Sequence, residues 1–256
     1  MRMLSICRLL LFTVFTTASF SCSEEKEDYV AGDPISDYLP LQVGKYITYR
    51  VDSLVANNFN IALETHSYQV KHVVDAQVTD NLGRPSYRIF RFRNNVTATG
   101  QWEANGSYFI TPLAQQIEVV ENNLRVTKLR EPMKEGFSWK GNAYLASNPF
   151  EPFGYDFSVD NAIGSWDFVY DLFEPTTVIN GQTYKDVWTV EQINESKSDP
   201  KVYPSDYANK LRSVEKYSKN IGLVYRQFIL WEYETSVAIN PAYTGFGITM
   251  WMIDHN

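Results

Sequence analysis

The sequence predicts a mainly β fold: an antiparallel sandwich or partly open β-barrel, in a single domain with few or no helices. Three observations carry this expectation. Apolar and polar residues alternate with a period of two over several segments, which places one set on a buried face. Asn-Asn and Asn-Gly pairs interrupt two of these segments where a tight hairpin turn needs positive φ. A hydrophobic share of 44% and an aromatic share of 15% supply a sizeable core without covalent staples.

Taken in order, the first strand covers residues 46–55, with Ile47, Tyr49 and Val51 on one parity. In the next, Tyr68, Val70, His72, Val74, Ala76 and Val78 share a face opposite Gln69, Lys71, Asp75, Gln77 and Thr79, with Val73 breaking the alternation. A turn at residues 81–85 returns the chain into residues 87–93, where arginines on both parities predict a bulge or an exposed edge. Residues 116–121 and 124–129 flank Asn122-Asn123 and read as a hairpin. Residues 134–139 read as a turn leading into a strand, and regular alternation is lost between residues 147 and 173. A second hairpin spans residues 177–192 around Asn180-Gly181, with Tyr184, Trp188 and Val190 on one parity. Residues 203–220 read as a short helix or loop, then a strand from residue 213 to the turn at Asn220. Residues 223–233 are apolar on both parities, as in a central strand buried on both faces, and residues 245–253 form a last strand. No internal repeat of fixed period is visible.

The amino-terminal stretch is of another kind. Arg2 and Arg8 precede an apolar run over residues 9–20 that gives way to Ser21 and Cys22, the layout of a signal peptide. The run is shorter than the roughly 20 apolar residues a transmembrane helix needs. It resembles a bacterial lipoprotein signal, in which cleavage falls just before a lipidated cysteine. Cys22 is that cysteine here, although Ser19 and Phe20 stand where the pattern has a leucine and a small residue. The resemblance implies a signal over residues 1–21, an acidic tether over residues 22–37 and a β-rich domain over residues 38–256. The alternative is an ordinary secreted protein cut near Ala18 or Ser21, with Cys22 an unpaired thiol.

Two further stretches extend the resemblance. Ser23-Glu24-Glu25-Lys26-Glu27-Asp28 is similar to the acidic export tag of many Bacteroidota surface lipoproteins. Tyr38-Leu39-Pro40-Leu41-Gln42-Val43-Gly44-Lys45-Tyr46 and Ile221-Gly222-Leu223-Val224-Tyr225 resemble the opening and the closing turn of a broad set of such lipoproteins of unknown function, with Tyr46 where many have tryptophan. This implies a body held at the outer membrane, facing outward, through the lipid on Cys22. It implies no catalytic residue. A lipoprotein terminus carries several acyl chains, each CH2 worth about 0.8 kcal/mol when buried, so the anchor is stable. The acidic tether is repelled by anionic headgroups, which holds the body off the surface.

Charge and composition exclude several function classes. The formal charge is -7, and without Arg2 and Arg8 it is 21 cations against 30 anions, or -9. Nucleic acid is therefore not an expected partner, since its binding draws on Lys and Arg contacts to phosphate. The body beyond Cys22 has no cysteine, which removes disulfides, thiolate zinc sites and thiol nucleophiles. The three histidines, His66, His72 and His255, do not make a metal site. His66 and His72 share a parity, but six strand residues separate them by roughly 20 Å. No G-x-S-x-G, P-loop, dinucleotide or H-E-x-x-H pattern occurs, and no cofactor is expected. Asp156, Asp160, Asp167 and Asp171 lack the spacing of a known calcium loop. Given the bacterial signal, the three Asn-x-Ser/Thr sequons are chance matches.

The candidate ligand site lies in the aromatic span. Phe153, Tyr155, Trp166 and Tyr170, beside Asp156 and Asp167, could stack on sugar faces and bond hydroxyls. The competing reading is that these rings plug the end of a barrel or sandwich. The expected role is non-catalytic binding or assembly at the cell envelope, with a glycan, an apolar molecule or an envelope protein as partner. The alternative is a glycoside hydrolase-like enzyme with paired carboxylates. Binding predicts an exposed aromatic platform or an apolar lumen, hydrolysis predicts two carboxylates facing across a cleft, and a structural subunit predicts neither.

Overall fold

Among the described residues twelve strands form, because the period-two segments are joined by turns short enough to keep neighbours antiparallel. The computed structural model describes residues 32–57, 59–155, 157, 163–235 and 241–256. The strands are β1 (Tyr46–Ala56), β2 (Leu63–Thr79), β3 (Pro85–Asn95), β4 (Glu103–Pro112), β5 (Gln116–Glu121), β6 (Leu124–Arg130), β7 (Ser138–Trp139), β8 (Phe168–Ile179), β9 (Gln182–Lys197), β10 (Ala208–Ser218), β11 (Gly222–Glu234) and β12 (Ala242–His255). They make one sheet in the order β6-β5-β4-β3-β2-β1-β12-β11-β10-β9-β8-β7. It is thus two meanders, β1 to β6 and β7 to β12, joined where the first strand pairs with the last.

The sheet curls into a nearly closed barrel, one of the two architectures expected. Its edges meet where the Thr127 N–H of β6 donates to the Gly141 carbonyl at 2.8 Å. There the Trp139 indole N–H of β7 donates to the Thr127 carbonyl at 2.9 Å. Both expected hairpins are present: Asn122 and Asn123 take φ of 50° and 63°, and Asn180 and Gly181 take 49° and 81°, the left-handed pair that a two-residue turn requires. Gly245 in β12 is needed for a different reason. At φ +127°, a Cβ there would stand 2.2 Å from the Leu230 carbonyl oxygen of β11.

Four expectations change. Residues 208–218 are strand throughout, preceded by a loop and not by a helix. Strand β4 went unanticipated, since Glu103, Asn105 and Ser107 disguise it, and β8 starts at Phe168, inside the span read as irregular. The bulge or edge expected from the arginines of β3 is not found in that strand: β3 lies between β2 and β4, and Arg91 stands opposite both Asn105 and Gly106, so the extra residue belongs to β4. Lys128 of β6 and Gln192 of β9 lie at similar irregularities. An extra residue of this kind re-aims side chains locally.

Each end of the barrel is stoppered by apolar side chains. At one, the short 3-10 turn Ile35–Tyr38 buries Ile35 and Tyr38 against Ile117, Leu129, Trp139, Tyr170 and Trp188. At the other, the β7–β8 connection buries Ile163 and Trp166 against Leu211 and Leu230, with Phe150 and Phe228 beside them. The outward side carries cross-strand ion pairs, Arg88 with Asp75, Arg212 with Glu191 and Lys216 with Glu174, alongside exposed apolar side chains such as Phe109 and Leu172. Among the described residues, no helix is long and apolar enough to cross a membrane.

Candidate functional site: a lumen with a charged band

Alternation that turns apolar side chains inward leaves the barrel incompletely filled, with a cavity of about 530 Å³ between the two stoppers. Tyr49 and Val51 reach it from β1, Val70 and His72 from β2, Phe228 from β11, and Ile248 and Met250 from β12. Its lining is chiefly aliphatic and aromatic. Across this apolar space runs a band of ionisable groups: Arg91 (β3), Glu121 (β5), Lys128 (β6), Glu215 (β10) and Arg226 (β11), with Lys45 also on the wall.

Glu215 organises the band. Its carboxylate accepts from Lys128 Nζ at 2.6 Å and from the Tyr217 hydroxyl at 2.7 Å. Arg226 Nε stands 3.4 Å from the same Oε1, without the alignment of a hydrogen bond. Burial alone would push the Glu215 carboxyl up, but Lys128 and Arg226 outweigh it and hold the pKa below the ordinary carboxylate value. Burial lowers that of Lys128, with Glu215 opposing the shift. Glu121 pairs with Arg91, and Lys45 Nζ donates to the Asn220 carbonyl at 2.9 Å.

His72 is held neutral. Its Nδ1 lies 3.0 Å from the Tyr108 hydroxyl, and its ring makes edge contacts with Tyr49 and Tyr108. Burial, reinforced by Arg91 and Arg226, pushes its pKa down from 6.5 to about 3. Burial likewise raises the pKa of Tyr49, Tyr108 and Tyr217. At neutral pH the His72 imidazole and the three phenols are therefore neutral beside the band. Buried donors with no partner remain: Arg91 Nε, Arg226 Nε and Gln192 Nε2.

Of the residues singled out in the sequence, Phe153, Tyr155 and Trp166 are brought together on the cavity, while Tyr170 and Asp167 lie elsewhere. Trp166 is buried, its ring tilted 6.3 Å from Phe228 in the stopper. Tyr155 packs on Phe246 at 4.8 Å, and Phe153 is 47% exposed at the rim, so both line the cavity beside Trp166. Tyr170 belongs to the opposite core, where its hydroxyl donates to the Arg130 carbonyl at 2.9 Å and accepts from the Arg130 N–H. Asp167 is on the surface, paired with Lys140 at 2.9 Å. Asp156 and Cys22 lie outside the described residues, as does Asp160. No group of His, Cys, Asp or Glu among the described residues is arranged to hold a metal ion.

Sequence reasoning missed the band, although a signal was present. Arg91, Glu121, Lys128 and Arg226 each fall on the apolar parity of their strand, Arg226 between Val224 and Phe228 and Lys128 beyond Leu124 and Val126. A charge on the buried parity marks either an edge or a polar interior. Comparison with protein-family models and with curated proteins finds no match to the chain.

Proposed function

We propose that this chain is an exported lipoprotein, anchored to the outer membrane through Cys22 and facing outward, that holds a small apolar or amphipathic molecule in its barrel lumen without transforming it. The observation that carries the binding role is the cavity of about 530 Å³ inside an otherwise filled barrel, within the range of about 300–1,000 Å³ common to small-molecule sites. The ion pairs on the outer side support a body that is tethered and not embedded, because charge facing lipid is costly in a membrane-spanning barrel. Hydrolysis by paired carboxylates is disfavoured. Glu121 and Glu215 are both engaged by cations, and the lowered pKa of Glu215 leaves it no proton to give a leaving group.

Thermal unfolding of the mature body is expected to shift upward with one or more molecules from a panel of alkyl and aromatic compounds. Ile248→Trp, which fills the lumen from β12, is expected to remove that shift. A panel without effect on wild type, or a shift that survives Ile248→Trp, would overturn the binding role. For the anchor, labelled fatty acid is expected in the protein from cells expressing wild type and not Cys22→Ala. An unlabelled, freely released wild type would refute it.

A further inference from the structure

The lumen differs in sign from the molecule that contains it. The whole chain carries a formal charge of -7. The cavity wall carries four cations, Lys45, Arg91, Lys128 and Arg226, against two carboxylates, Glu121 and Glu215, and no aspartate. His72 stays neutral and adds nothing to either side. An excess of buried positive charge is unfavourable unless something pairs with it.

The surplus is localised. Lys128 takes Oε1 of Glu215 and Tyr217 takes Oε2. Arg226 is thereby left beside a carboxylate whose best positions are occupied, its Nε–H without an acceptor. Arg91 reaches Glu121 through one terminal nitrogen while its own Nε–H is also unpaired. The two side chains retain 26% and 21% of their surface accessible, and both line the cavity. Guanidinium donors with open N–H groups are suited to planar or tetrahedral oxyanions. Beyond them toward the second stopper the wall turns apolar, with Val51, Val70, Phe228, Ile248, Phe246 and Phe150.

We propose that the lumen ligand is an anionic amphiphile: its acid head rests on Arg226 and Arg91, and its hydrocarbon tail lies along Phe228 and Ile248 toward Phe246. This rests on the reading of the lumen as a ligand site and adds the chemical class of the ligand. The head neutralises the surplus charge through the accessible part of the two guanidinium side chains, while the tail takes the apolar remainder of the cavity. A neutral alkyl chain fills the same volume but leaves the guanidinium groups as they are.

Calorimetric titration of the mature body with decanoate, decyl sulfate and decanol separates the two layers of this argument. At least one of the anions is expected to bind tenfold or more tightly than decanol, and the preferred anion distinguishes a planar from a tetrahedral head. Arg226→Met is expected to abolish the preference by weakening the anion at least tenfold while leaving decanol unchanged or tighter. Decanol binding as tightly as both anions to wild type would overturn the anionic class and leave the lumen as an apolar site. Failure of all three to bind would overturn the lumen reading and this inference with it. The wild-type comparison needs no variant, so it holds even where Arg226→Met folds poorly.

Discussion

Glu215→Gln is expected to lower the unfolding free energy by about 3–5 kcal/mol, the range seen when one partner of a buried ion pair is removed. Glu215 is 1% exposed and is the shared counter-charge for Lys128 and Arg226. Glutamine keeps the shape and one acceptor but leaves two cations in the barrel facing each other without an anion between them. The loss should appear as a lower urea midpoint with the slope unchanged. Adding Lys128→Met removes one of the stranded cations and is expected to restore a large part of the stability, so the two substitutions are strongly non-additive. A Glu215→Gln midpoint within error of wild type would mean that water screens the band, and the account of a low-dielectric lumen would fail.

The second large effect is on acid stability. His72 titrates at 6.5 in the unfolded chain and at about 3 in the fold. Between those values the unfolded chain takes up a proton that the folded one does not. The contribution of His72 is fully present above pH 6.5 and declines as the pH falls toward 3. At about 1.4 kcal/mol per unit the whole window amounts to roughly 5 kcal/mol. His72 keeps some surface toward the cavity, so about 2–4 kcal/mol is the expected loss. Glu215 also loses stability on acidification, but its pKa is lowered from 4.5, so its part falls below that pH. Stability measured between pH 6.5 and 5 therefore isolates the histidine. His72→Phe is expected to be weakened at every pH by loss of the Tyr108 hydrogen bond, yet to show a flat profile across that interval. A slope equal to wild type would place the titrating group elsewhere.

Local features were legible in the residues. Alternation located most strands, and the Asn-Asn and Asn-Gly pairs marked both hairpins. What escaped depends on distance in the chain. Period-two alternation says which face is buried but not whether the sheet closes on itself, because sandwich and barrel bury the same parity. The contact of Thr127 with Gly141 decides this, and neither residue advertises it. Within the aromatic span Trp166 packs in one stopper, but Tyr170, only four residues on, is carried by β8 to the opposite core. The charged band was hidden for a related reason. Glu215, flanked by Val214 and Lys216, reads as an ordinary solvated position until Lys128, 87 residues away, arrives beside it.

The strand order also governs when the molecule can assemble. Among the described residues, β1 with β12 is the only extended strand pairing between the two meanders, and it links residues about 200 apart, such as Val51 with Met250. Until the last fifteen or so residues have joined, the sheet is two separate ribbons and the lumen has no enclosing wall. Contacts so remote in sequence form slowly, because the intervening chain must first be closed into a loop. A chain built this way becomes a container only after β12 has joined β1.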